Sequence, residues 1–156
     1  HYSVQENNWP DYRYATTKWD VVSWCHGAVG IGMSRLNLLG NSVLGQKAEN
    51  TIDRSVAKML ETEFHPLDTL CCGNSGRIDF VLELKKRKYQ NPQLNNYLKK
   101  LTADIINKYE EGGLTYFSKF ETPDLNVGLY QGMSGIGYTL LRTLSPQDFS
   151  SLLLFE

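Results

Sequence analysis

Apolar residues recur at helical spacing along most of this chain and hardly ever alternate in the two-residue rhythm of a strand. Residues 47–62 set Ile52, Val56, Met59 and Leu60 on one side, and residues 94–110 do the same with Tyr97, Leu101, Ile105, Ile106 and Tyr109. Both patterns predict amphipathic helices. Three further apolar runs are each opened by a Gly-x-x-Gly pair. Gly27 and Gly30 precede Ile31, Leu38 and Leu39; Gly73 and Gly76 precede Ile78, Val81 and Leu82; Gly132 and Gly135 precede Ile136, Leu140 and Leu141. The first glycines of the pairs are 46 and then 59 residues apart, and Gly-Ala-Val-Gly-Ile-Gly at 27–32 returns as Gly-Met-Ser-Gly-Ile-Gly at 132–137. Such self-similarity marks a structural repeat.

Glycine lowers helix propensity, so its place at three predicted helix starts needs a cause other than local preference. It permits positive φ in a tight turn, and the missing Cβ lets backbones approach closely. Each copy is therefore expected to be a turn opening into a helix. Alternation of glycine-opened and amphipathic helices suits an all-α fold, an α/α toroid with the glycine-opened helices inside and the amphipathic ones outside. Leu114–Phe120 is the one stretch suggesting a short extended piece, before Pro123. Asn7–Lys18, rich in aromatics around Pro10, reads as a loop or packed arm. No internal boundary is visible, so residues 1–156 are read as one portion of a domain.

With 41% hydrophobic residues the 156-residue chain can build a real core, or form a piece of a larger one. Sixteen Lys and Arg against 17 Asp and Glu leave a net charge of -1. That balance gives no reason to expect nucleic acid or an anionic membrane surface as partner. The longest apolar runs, such as Leu152–Phe155, fall far short of the roughly 20 residues a membrane span requires, and direct membrane insertion is not expected. The opening residues carry no secretory pattern and resemble the interior of a longer polypeptide.

Three cysteines, Cys25, Cys71 and Cys72, cannot all pair with one another, and a disulfide between neighbours would be strained. A clustered, odd set points to a reducing compartment and to metal or thiolate chemistry. Cys25 lies just ahead of the first glycine turn, and Cys71 and Cys72 lie just ahead of the second. Three thiolates with a vacant fourth position suit a catalytic zinc site, while structural zinc sites close with four protein ligands. Spacing alone leaves open that these are small buried apolar side chains. His26 is read as a proton-transfer or thiolate-positioning group, or else as a hydrogen-bonded residue at a helix entry. His65, before Pro66, is read as structural or exposed, and Lys85–Lys88 as the solvated last turn of a helix. The glycine pairs lack the Gly-Lys-Ser or Gly-Lys-Thr continuation of a phosphate loop, which argues against nucleotide binding.

At these residues the sequence resembles the LanC-like cyclases, in particular the C-terminal cyclase domain of the class II lanthionine synthetases called LanM. Ser23-Trp24-Cys25-His26-Gly27 and Leu70-Cys71-Cys72-Gly73-Asn74 match the family's metal motifs, and Asn8-Trp9-Pro10-Asp11 and Gly128–Tyr138 are similar to its flanking segments. The resemblance implies the C-terminal part of an α/α toroid, with Cys25, Cys71 and Cys72 as ligands of Zn2+. It implies a cytoplasmic bacterial enzyme of lantibiotic biosynthesis that adds peptide cysteine thiolates to dehydroalanine or dehydrobutyrine. Its partners would be the precursor peptide, a dehydratase domain and the remainder of the toroid in an upstream portion of the same synthetase. Three thiolate ligands would leave a fourth, substrate thiolate more nucleophilic than two thiolates and an imidazole. The family's upstream catalytic His and Asp have no counterpart in these residues, and His26 matches a position that holds Tyr or His. The alternatives are a non-catalytic zinc- or glutathione-binding LanC-like module and a toroidal glycoside-processing enzyme. The latter would carry paired carboxylates where this chain has cysteines.

Overall fold

The computed structural model describes residues 2–11, 21–113, 116 and 126–155. Among them the chain is all-helical: α1 (Ala28–Met33), α2 (Gly45–Glu61), α3 (Asn74–Lys86), α4 (Leu94–Glu110) and α5 (Met133–Leu144), with a 3-10 turn at Leu36–Leu38. The only bridges outside helices among the described residues are Ser3 with Asn8 and Val22 with Gly27. The amphipathic stretches become α2 and α4, and the glycine-opened ones α1, α3 and α5. The extended piece expected over 114–120, apart from Tyr116, and residues 12–18 of the aromatic arm lie outside the described residues.

The chain divides into two units, His1–Glu63 and Phe64–Glu156. In the first, α2 buries Ala48, Ile52, Val56 and Met59, and α1, which packs on it, buries Ala28, Val29 and Met33. The sequence pattern carries the first helix on to Leu39, but α1 stops after six residues. Two of those six, Gly30 and Gly32, weaken it. Beyond Met33 the Ser34 hydroxyl donates to Ile31 O at 2.8 Å, and the chain tightens into the 3-10 turn before Gly40 reverses it at φ 79°.

In the second unit α3 packs against both α4 and α5. Every residue from Asn74 to Leu84 is buried, so α3 has no solvent face over three turns. By contrast α4 buries only Leu94, Tyr97, Leu101 and Ile105. Ile106 and Tyr109, expected on its apolar side, are 41% and 63% exposed. They sit at the rim of a stripe narrower than the sequence suggests. Three charged residues are enclosed with α3: Arg77, Asp79 and Glu83, each at most 1% exposed. Arg142 of α5 pairs with Asp79 and, at 2.5 Å, with Glu83, while its Nε donates to Phe149 O at 2.9 Å. Arg87 also pairs with Glu83, and the Ser151 hydroxyl donates to Asp79 at 2.6 Å. The network thus ties α3, α5 and the segment after α5 together. Removing one member of such a buried set leaves uncompensated charge, at roughly 3–5 kcal/mol.

The glycine repeat has a specific steric cause. A Cβ on Gly27 would stand 1.7 Å from Val21 O, on Gly30 1.8 Å from Trp24 O, and on Gly73 2.3 Å from Leu67 O. On Gly132 it would meet Asn126 O at 2.2 Å, and on Gly135 Leu129 O at 1.9 Å. In every case the obstructing carbonyl belongs to the residue six positions earlier. The loop before each helix folds back across the helix start, and only a residue without Cβ leaves it room. Positive φ is required only at Gly27, at 88°; Gly73 and Gly132 are extended, at -121° and -132°. Close approach is the shared requirement.

Within α5 this separates two glycines two positions apart. Gly135→Ala must push backbone aside and should destabilise the chain by about 2–3 kcal/mol. Gly137 has no atom within 4 Å of the place its Cβ would take, and as alanine should gain up to about 1 kcal/mol. Urea-denaturation midpoints of the two variants are expected to move in opposite directions; a shared direction would remove the steric account.

Candidate metal centre

The turns before α1, α3 and α5 align residue by residue in sequence on their first glycines. Two positions before that glycine stand Cys25, Cys71 and Tyr130; one position before it stand His26, Cys72 and Gln131. The repeat thus offers thiols at two of its three helix entries and none at the third. All three cysteines are half-buried and outside any disulfide.

In the first unit the Cys25 loop is closed by the Val22–Gly27 bridge and by Ser23 N donating to His26 O at 3.0 Å. Gly30 N donates to Ser23 O at 3.1 Å, which fixes the loop to the first turn of α1. The Ser23 hydroxyl is 3.8 Å from Cys25 Sγ. The Asn8-Trp9-Pro10-Asp11 segment braces this loop from outside. Buried Asn8 donates through Nδ2 to Val21 O at 3.0 Å, and the buried Asp11 carboxylate lies 3.9 Å from His26 Nδ1. That separation is longer than a direct hydrogen bond. The His26 side chain is 31% exposed, so one flank meets a carboxylate while the ring remains accessible. The brace is itself anchored on α2, where Lys58 Nζ donates to Glu6 O at 3.0 Å and Arg54 stacks over the Tyr2 ring at 4.6 Å.

In the second unit Cys71 Sγ and Cys72 Sγ are 3.2 Å apart, in contact but not bonded. Cys71 N donates to Tyr130 O at 2.9 Å, so the thiol-free third turn supports the second through its backbone. Asn74 N donates to Leu67 O at 3.0 Å, and the Ser75 hydroxyl donates to Asp68 O at 2.5 Å. The third turn repeats both bonds, Met133 N to Asn126 O at 2.8 Å and Ser134 Oγ to Val127 O at 2.6 Å. Buried Asn74 adds bonds of its own, donating to His65 O at 2.7 Å and to Asp68 Oδ1 at 2.9 Å while accepting from His65 N at 2.8 Å. His65 Nδ1 accepts from Leu67 N at 3.0 Å, which makes His65 structural, as the sequence suggests. Lys108 of α4 completes the support, reaching Asp68 at 3.1 Å and Asp104 at 2.8 Å.

The sequence reading quoted Asn8 and Asn74 within motifs but gave no supporting role to them, nor to Asp68, Lys108 and the Tyr130 carbonyl, which hold the thiol-bearing turns. For Asn74 a signal existed: an amide directly after Gly73, where Ala28 and Met133 stand in the other copies. Backbone acceptors and a partner 40 residues away, such as Lys108 for Asp68, leave no sequence trace. Three soft sulfur donors, none in a disulfide, form a set that suits zinc better than any hard cation.

Residues 1–154 match the family model of lanthionine synthetase C-like proteins, and the chain belongs to that family. No curated protein and no solved structure matches it. No helix among the described residues is long and apolar enough to cross a membrane.

Support of the Cys71–Cys72 turn by Lys108 has a pH signature. Partial burial lowers the Lys108 pKa, but bonds to Asp104 and Asp68 and their negative charge outweigh it, leaving the pKa raised. A raised folded-state pKa contributes stability that is complete below the unfolded value, about 10.4, and lost as pH rises through the folded one. Solvent screening keeps the contribution at about 1 kcal/mol or less. Burial also raises the Tyr97 pKa, against the opposing effect of Arg77, and the phenol acts in the same alkaline window. Wild type and Lys108→Met are therefore compared, and their urea midpoints, different at pH 8, should converge as pH rises through the raised folded-state pKa of Lys108. A difference that persists unchanged would mean that the ammonium charge is not what Asp68 requires.

Proposed function

We propose that Cys25, Cys71 and Cys72 together hold one zinc ion and that the protein is a cyclase of lanthipeptide biosynthesis, of the class II, LanM type. The observation that carries this reading is the placement of thiols, and of nothing else metal-binding but His26, at equivalent positions of two glycine turns in a LanC-like chain. The Cys-Cys-Gly at 71–73 and the Asn-Trp-Pro-Asp brace support the LanM assignment. In the toroid proposed here α1, α3 and α5 are inner helices and α2 and α4 outer ones. Burial of α3 on every face, against the one-sided burial of α2 and α4, supports an inner place for α3.

Zinc held by these thiolates would supply Lewis acidity that lowers the pKa of a substrate cysteine from its ordinary value of about 8.5. The chain's own residues do the rest. Three cysteine ligands would leave room for the precursor peptide's thiol, and the braces from Asn8, Asn74 and Lys108 hold the turns that carry them. His26, held beside Asp11, is proposed to move the proton that the enolate takes up once sulfur has added to the dehydro residue. Dehydration of the peptide belongs to a dehydratase activity outside these residues. Thiols used as metal ligands must stay reduced, which fits the proposed cytoplasmic location.

Elemental analysis is expected to find one zinc per chain in the wild type and marked loss in Cys25→Ala, Cys71→Ala and Cys72→Ala. Undiminished zinc in any variant removes that residue from the set. On a peptide already dehydrated, ring closure is read as loss of alkylatable thiol. It should depend on zinc and fall about 10²–10⁴-fold in His26→Gln at unchanged zinc content. Zinc bound with no thiol loss in the protein as it occurs in the cell would instead support a non-catalytic zinc- or glutathione-binding module. Thiol loss at the wild-type rate would release His26 from its role.

A further inference from the structure

A hydroxyl stands two residues ahead of the first cysteine in each thiol-bearing turn: Ser23 before Cys25 and Thr69 before Cys71. Both residues are 0% exposed. In the thiol-free third copy the same sequence position, two residues before Tyr130, is Gly128. Among the three copies hydroxyl and thiol therefore occur together or not at all.

Ser23 is fixed on both sides. Its N–H donates to His26 O at 3.0 Å and its carbonyl accepts from Gly30 N at 3.1 Å, which keeps the side chain against the Cys25 loop. The hydroxyl has two neighbours, His26 O at 3.3 Å and Cys25 Sγ at 3.8 Å, and one hydrogen to give. While Cys25 is a thiol, its S–H can donate to the Ser23 oxygen and the hydroxyl to His26 O. A metal-bound cysteine has given up its proton, so a weak donor has become a charged acceptor. The hydroxyl hydrogen is then better placed on that sulfur than on a carbonyl which already accepts from Ser23 N.

Thr69, in the other unit, gives a second and independent observation. Its hydroxyl oxygen is buried and has no hydrogen-bond partner among the described residues. A hydroxyl left in that state lowers stability, and a valine of the same shape would avoid the loss. Gly73 N donates to Thr69 O at 3.0 Å and closes the loop of residues 69–73. Within that loop lie Leu70, Cys71 and Cys72, whose only side-chain acceptor is sulfur, strong as an acceptor once it is a thiolate.

We propose that the Ser23 and Thr69 hydroxyls are positioning residues of the metal centre, each donating its hydrogen bond to a metal-bound thiolate, Ser23 to Cys25 and Thr69 to the Cys71–Cys72 pair. The inference rests on the zinc ion of the proposed function and is independent of ring closure. Three thiolates around a divalent ion leave one net negative charge, and a substrate thiolate adds another. The hydroxyls draw part of that charge off sulfur and orient the ligands that carry it.

The test uses the full chain with cobalt(II) in place of zinc, where the sulfur-to-cobalt charge-transfer absorption reports the electron density on the thiolates. Ser23→Ala and Thr69→Val should each move that band to longer wavelength and weaken zinc binding about tenfold in competition with a chromophoric chelator. Thr69→Ser keeps the hydroxyl and should match the wild type in both. In metal-free protein Thr69→Val should raise the melting temperature, because it removes a hydroxyl without a partner. Higher stability without metal together with weaker zinc binding is a combination that damaged packing cannot produce. An unmoved band or wild-type zinc affinity in either variant overturns the role of that hydroxyl, and Thr69→Ser behaving like Thr69→Val overturns it for Thr69. Ring closure is measured on the same samples. A wild type that binds neither metal defeats the zinc reading and this one together, and normal metal binding with unmoved bands defeats the hydroxyls alone. Shifted bands in the variants of a protein whose wild type closes no ring defeat the cyclase reading alone.

Discussion

The turns that open α1, α3 and α5 all depend on a backbone carbonyl lying against a glycine Cα. The loop before each of α1, α3 and α5 crosses the helix start so closely that the carbonyl six residues back occupies the space of a Cβ. Because the contact is between backbone atoms, side-chain repacking cannot relieve it. Before α3 and α5, where the glycine is extended in both and the same two hydrogen bonds recur, the two residues just before the glycine are held in one relation to the helix that follows. The copies differ in the side chains that stand there, Cys25 and His26, Cys71 and Cys72, Tyr130 and Gln131, and the first differs also in the positive φ of its glycine. A steric rule about glycine thus becomes a rule about where sulfur is displayed.

A different kind of constraint orients α3. Hydrophobic burial is non-directional, and a helix buried on all sides has no polar face to fix its rotation. Asp79 and Glu83, one turn apart, supply direction because both must meet Arg142. Ser151 and the Phe149 carbonyl extend the same constraint to the segment after α5. Buried ion pairs contribute little net stability, and their value here is geometric. A rotated α3 would strand two carboxylates in apolar surroundings.

The helices were readable because their apolar spacing is regular, and α2 and α4 begin and end within two residues of the sequence expectation. The early end of α1 was not, because Leu36, Leu38 and Leu39 keep the helical rhythm while Gly30, Gly32 and Ser34 undo the helix itself. The glycine turns were legible as a repeat, but their cause was only half so: close approach applies throughout and positive φ only at Gly27. At the candidate site the sulfur donors stood out by residue type. Their braces did not, since an asparagine or aspartate in a loop has the same appearance whether it faces water or, like Asn8, Asp68 and Asn74, is wholly enclosed. The charges inside α3 were also passed over, because Asp79 and Glu83 among apolar neighbours look like an ordinary solvated edge until Arg142, 59 residues beyond Glu83, is brought to them.

The bond from Cys71 N to Tyr130 O joins a turn that carries thiols to one that carries none. Its effect is mechanical. Displacement of the stretch around Tyr130 must either break that bond or carry the Cys71 backbone with it, and the sulfur is only a few bonds away. The third copy of the repeat therefore behaves as a lever arm on the second, and whatever touches residues 126–131 from outside acquires leverage over the neighbouring thiol without approaching it.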